Sequence, residues 1–100
     1  MTDEIKLQKD AVKGARAKEL LEHDLLAEAF TSLEAAYTQA WRLTTIDDVS
    51  GREKLFLAIN IVGKVRDHLT AIVNNGTLAT TELRQLAETA ERARRWEDKA

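Results

Sequence analysis

Six apolar residues, Leu55, Ala58, Val62, Val65, Leu69 and Ile72, follow one another in steps of three, four, three, four and three. That spacing returns to one side of an α-helix every two turns and is the a/d pattern of a coiled-coil seam. A β-strand alternates its faces at every residue and cannot use it. Ile59, Ile61 and Val73 widen the stripe, so a helix over residues 50–74, about 37 Å long at 1.5 Å per residue, needs cover on more than one side. Ser50-Gly51-Arg52-Glu53 matches the S-x-x-E capping box, in which hydroxyl and carboxylate each accept the other residue's amide. Asn74-Asn75-Gly76 is expected to close the helix, with Gly76 in the left-handed position that ends many helices.

The rest of the chain also reads as helix. It has no proline and four glycines in 100 residues, and those are the two residues that weaken a helix most. A helix is expected from about Asp24, its N-cap, to Leu43, because Leu26, Phe30, Leu33, Tyr37 and Trp41 form one apolar stripe at helical period. A basic, weakly apolar helix is expected over about Glu4–Glu22, with Gly14 lowering its propensity; a helix of that quality is marginal by itself. A fourth is expected over about 80–98, with a narrow stripe of Leu83, Leu86, Ala87, Ala90 and Ala93. Its Glu88–Arg92 and Glu91–Arg95 pairs stand four apart in the favourable order, each contributing about 0.2–0.5 kcal/mol. The expected fold is one all-α domain, a hairpin of residues 24–43 and 50–74 completed by the terminal helices into a small bundle. Residues 1–22 would be a loosely attached helix and 80–98 a charged arm. The hairpin core would hold Leu26, Phe30, Leu33, Tyr37, Leu55, Ile59, Val62 and Leu69.

Chemistry-bearing patterns are sparse. Without cysteine neither a disulfide framework nor a thiolate metal site can form. There is no glycine-rich phosphate loop and no H-E-x-x-H helix, and neither His23 nor His68 follows a glutamate by three residues, as di-iron bundles require. The expectation is no enzyme, no catalytic or metal-binding residue and no cofactor. The opening residues mix charges without an apolar core segment, and no run approaches 18 apolar residues. The expected location is therefore cytoplasmic, or packaged from the cytoplasm, with no membrane partner.

Fifteen basic residues against seventeen acidic ones lack the basic excess of a dedicated nucleic-acid binder. Arg92, Arg94, Arg95 and Trp96 are the candidate nucleic-acid contact, since arginines neutralise phosphates and an indole stacks on a base. Against that stand Glu88, Glu91 and Glu97, which dilute the field. Gly63, in mid-helix beside Asn60 and Asp67, costs about 1 kcal/mol relative to alanine and is read either as a site of close helix approach or as a tolerated surface glycine.

Residues 48–58 (Asp48-Val-Ser-Gly-Arg-Glu-Lys-Leu-Phe-Leu-Ala58), Val65-Arg66-Asp67-His68-Leu69 and Asn75-Gly76-Thr77-Leu78-Ala79, with Ala27–Phe30 and Trp41 before them, resemble small uncharacterised helical proteins encoded by tailed bacteriophages and prophages. The likeness covers about residues 20–83. It implies no enzyme activity and supplies no functional residues, but directs expectation toward virion assembly, DNA packaging or host interaction. Secreted helical hairpins with a W-x-G turn are set aside, since Trp41-Arg42-Leu43 lacks the glycine.

The expected function is a non-catalytic oligomerisation or scaffold module. It would associate with itself or another helical protein through Leu55, Ala58, Val62, Val65, Leu69 and Ile72, because a contiguous apolar patch on a water-exposed chain marks an interface. The alternative is a small nucleic-acid-associated accessory or regulatory protein using the Arg92–Trp96 arm.

Overall fold

The computed structural model describes residues 2–99, with side chains from 3 to 98. The chain is all-α, with three helices and no strand among the described residues: α1 (Thr2–Glu22), α2 (Asp24–Arg42) and α3 (Val49–Lys99). The third and fourth helices expected from sequence are one helix of 51 residues, so the fold is a hairpin with one further helix and not a four-helix bundle. Two compact units share α3, one formed by Lys18–Thr70 and the other by Met1–Ala17 with Ala71–Ala100.

The unit of Lys18–Thr70 contains the hairpin. α1 and α2 are separated only by His23, whose extended backbone makes it the N-cap of α2 without a side-chain hydrogen bond. Asp24, expected to cap, is instead the first helical residue, where its carboxylate still complements the helix dipole. At the tip, α3 starts earlier than the Ser50–Glu53 capping box would set it. Asp48 is the cap, its Oδ1 accepting the Gly51 amide at 3.1 Å, while its carbonyl accepts from Arg52 N at 3.0 Å. A Cβ on Gly51 would meet that carboxylate, which would have to turn aside.

Arg52 then locks the tip. Its guanidinium lies 4.7 Å from the Trp41 ring centroid and donates to Thr44 Oγ1 at 2.9 Å, while Thr44 Oγ1 donates to the Trp41 carbonyl at 2.6 Å. Further along, Arg66 lies 5.3 Å from the Phe30 ring centroid and pairs with Glu34 at 3.1 Å. These contacts, 41 with 52 and 30 and 34 with 66, fix α2 and α3 as antiparallel. Cation–π contacts of this kind contribute about 0.5–2 kcal/mol, most when shielded from water. Of the expected hairpin core, Leu26, Phe30, Tyr37, Leu55, Ile59, Val62 and Leu69 are half-buried, and Leu33 is exposed.

The other unit is organised around two glycines. Gly14 of α1 and Gly76 of α3 meet backbone to backbone. A Cβ built on Gly14 would lie 2.6 Å from Gly76 Cα, and one built on Gly76 would lie 2.6 Å from Gly14 Cα and 2.9 Å from the Asp10 carbonyl oxygen. One turn on, Ala17 and Ala79 are buried at 4% and 2% exposure. Small residues allow helix axes to approach closely, and the close approach supplies the packing. Gly76 therefore does not end a helix, and no glycine has positive φ. In the polar stretch that follows, Thr77, Thr80 and Thr81 donate to the carbonyls of Val73, Gly76 and Thr77 at 3.1, 2.9 and 3.1 Å, so their hydroxyls are satisfied within the helix.

Gly63 has the opposite environment, with no neighbouring atom within 4 Å of where an alanine Cβ would stand. The two glycines should thus respond oppositely to alanine. Gly63→Ala is expected to stabilise by about 0.5–1 kcal/mol through helix propensity. Gly76→Ala is expected to lose about 1–3 kcal/mol by overpacking, with loss of helical circular dichroism as α1 is released. Thermal melts of both variants check this, and a Gly76→Ala protein as stable as the parent would disprove the backbone contact.

Candidate functional site

Polar side chains do not assemble a reaction centre here. Among the described residues no charged or polar side chain is buried, and no three of His, Asp and Glu gather as metal ligands. No helix of the described residues is long and apolar enough to cross a membrane. Exposed apolar side chains are most numerous along the hairpin, where nine of the fifteen large ones lie between Leu25 and Val65.

On α3, Arg52 and Arg66 both reach α2, and Leu55, Ile59 and Val62 share that face at helical spacing. These residues are half-buried. About a quarter-turn away lie Ala58, Ile61 and Val65, of which Ile61 is 60% and Val65 48% exposed. On α2, Phe30, Glu34 and Trp41 face α3, and a similar rotation carries Ala29, Leu33 and Ala36 out of the contact; Leu33 is 43% exposed. Because the helices are antiparallel, the same sense of displacement on each puts both groups on one flank of the hairpin. That flank is an apolar trough edged on α3 by Lys64 and His68. A shallow hollow of about 330 Å³ opens there between Ile61, Lys64, Val65, His68 and Leu69, walled mainly by apolar atoms.

The six seam residues expected to mediate association are thus divided by the structure. Leu55, Ala58, Val62, Leu69 and Ile72 are half-buried and Val65 is exposed. The open strip is shifted toward Leu57 and Ile61, which the strict seam leaves out. The opposite flank of α3 carries Asn60, Gly63 and Asp67, with Asn60 Nδ2 donating to the Phe56 carbonyl at 3.0 Å; Phe56 itself is 57% exposed there. At the hairpin tip Leu43, Ile46 and Val49 are exposed as well.

In the other unit, the seam continues. From Ile72 it passes through Gly76, Ala79, Leu83, Leu86, Ala90 and Ala93 in steps of four, three, four, three, four and three, without a change of phase. This was the signal available in the sequence for a continuous α3 and for buried Gly76 and Ala79. Burial along the seam ends at Leu83, which is half-buried; Leu86, Ala90 and Ala93 are exposed.

Arg92, Arg94, Arg95 and Trp96 lie on this exposed arm. Arg95 pairs with Glu91 at 2.7 Å, and Trp96 is 78% exposed. From residue 84 to 98 four arginines are matched by four acids, so the arm carries no net charge to attract a polyanion. Trp96 reports on the arm directly. In a Trp41→Phe protein its emission is expected to be that of a hydrated indole, fully quenched by acrylamide. A blue-shifted, protected signal would show instead that the arm is covered. In comparison with known proteins, no family model matches this chain, and neither a curated protein nor a solved structure is similar to it.

Proposed function

We propose that this chain is a non-catalytic helical oligomerisation and scaffold module. The observation that carries this is the inversion of its apolar inventory. Ala17 and Ala79 are the buried hydrophobic residues of the described chain, while fifteen large apolar side chains are exposed. Burying one Leu, Ile, Val or Phe side chain completely is worth about 1.5–3 kcal/mol, so a chain that leaves so many in water gains most by association. A continuous strip on one flank of a hairpin gives that association direction. The resemblance of residues 20–83 to phage and prophage proteins favours virion assembly or packaging as the setting, in which subunit self-association is the working property.

The nucleic-acid alternative rests on the exposure of Arg92, Arg94, Arg95 and Trp96. Their charge is offset locally, and contact with phosphates would have to overcome the neighbouring carboxylates.

The native mass measured by light scattering on a sizing column separates the two. Apolar self-assembly gives a stable multimer at low and high salt alike, and reversing Arg92, Arg94 and Arg95 to glutamate leaves that mass unchanged. A monomer at both salts would refute the scaffold role. Nucleic acid that co-purifies at low salt, and is lost on arginine reversal, would favour the alternative.

A further inference from the structure

We infer that the apolar trough on the α2–α3 hairpin, lined by Leu33 and Ala36 of α2 and Ala58, Ile61 and Val65 of α3, is the seat of a second copy of this chain, the two hairpins closing into an antiparallel four-helix bundle. This rests on the self-assembly proposed above and adds where the copies meet and in what orientation.

Area allows an occupant of this size. The chain leaves 8283 Å² accessible. A compact chain of 11.2 kDa exposes about 5,700 Å², so the excess is about 2,600 Å². That excess belongs to the whole chain, the exposed residues 84–98 included, and is large enough to contain the roughly 800 Å² per partner that a stable interface buries.

Charge selects the orientation. On this flank α2 carries Glu28 and α3 carries Lys54 and Lys64 at helical spacing, while Arg52, Arg66 and Glu34 are taken up inside the hairpin. A hairpin with one acidic and one basic helix is complementary to its own copy when each α2 lies over the other chain's α3. A two-fold axis parallel to the helices produces that arrangement, keeps residues at the same level along the axis, and makes every neighbouring helix pair antiparallel. The Arg66 contacts with Phe30 and Glu34 set those levels within one hairpin. On this axis Glu28 at the edge of α2 comes near the level of the partner's Lys64 and His68, and the hollow beside Ile61 and Val65 receives a side chain from the partner's α2. Such packing of a knob into a facing hole is the ordinary geometry of four-helix bundles.

The chain contains no cysteine, so introduced thiols report contacts directly. An equimolar mixture of Leu33→Cys and Val65→Cys proteins, treated with a short bis-maleimide, is expected to give the mixed covalent dimer. Leu33→Cys with Phe56→Cys is expected to give none, because Phe56 is as exposed but lies on the other flank. In parallel, Ile61→Glu is expected to halve the native mass with helical circular dichroism retained, while Phe56→Glu leaves the mass unchanged. A multimer that survives Ile61→Glu and gives no Leu33–Val65 cross-link would overturn this interface and leave self-assembly standing. A wild-type monomer would remove both. Loss of assembly in Phe56→Glu as well would also count against a directed trough, and the cross-link decides the matter if Ile61→Glu fails to fold.

Discussion

The contact of Gly14 with Gly76 determines how the second half of the chain is used. Two glycines in helix interiors together cost about 2 kcal/mol relative to alanine, and Asn74 and Asn75 before Gly76 add further weakness. An isolated segment of this composition would end its helix there. Backbone contact at 2.6 Å from the missing Cβ positions turns the same residues into a packing surface, with Ala17 and Ala79 closing it. The packing is specific because it depends on what is absent; any side chain at 14 or 76 would separate the helices.

This explains what could be seen in the sequence and what could not. The α2 stripe from Leu26 to Trp41 and the seam from Leu55 to Ile72 have period and amplitude enough to fix two helices and their hairpin. Helix ends were harder. Ser50 and Asp48 both have capping side chains, and only backbone geometry selects Asp48. Gly76 is ambiguous in the same way, since glycine suits both a left-handed cap and a tight helix crossing. The heptad phase running unbroken to Ala93 resolves the ambiguity, but only when the small residues 76 and 79 are counted as seam positions. Apolar pattern recognition passes over them because glycine and alanine contribute little hydrophobicity.

The candidate surface was legible in part for a related reason. Periodicity identifies the apolar stripe on α3 but not which edge of it a neighbour covers. Arg52 and Arg66 settle that by reaching across to Trp41 and Phe30, turning Leu55, Ile59 and Val62 toward α2 and leaving Ile61 and Val65 outside. The residues that remain available are therefore displaced from the a/d seam by a fraction of a turn, a displacement that depends on tertiary contacts.

The arginines also bear on what drives association. In the hairpin, Arg52 and Arg66 lie over aromatic rings, and Arg66 is paired with Glu34, so their charge is engaged within the fold. On the arm, Arg92, Arg94 and Arg95 are flanked by Glu88 and Glu91 on one side and Glu97 and Asp98 on the other, and the charges of residues 84–98 balance. Fields of that kind decay within a Debye length, about 8 Å at physiological salt, and can set orientation only once surfaces are close. In the proposed assembly attraction between copies would come from apolar area, which salts excluded from the protein surface strengthen, with charge choosing the pairing of helices and hydrophobic burial holding it.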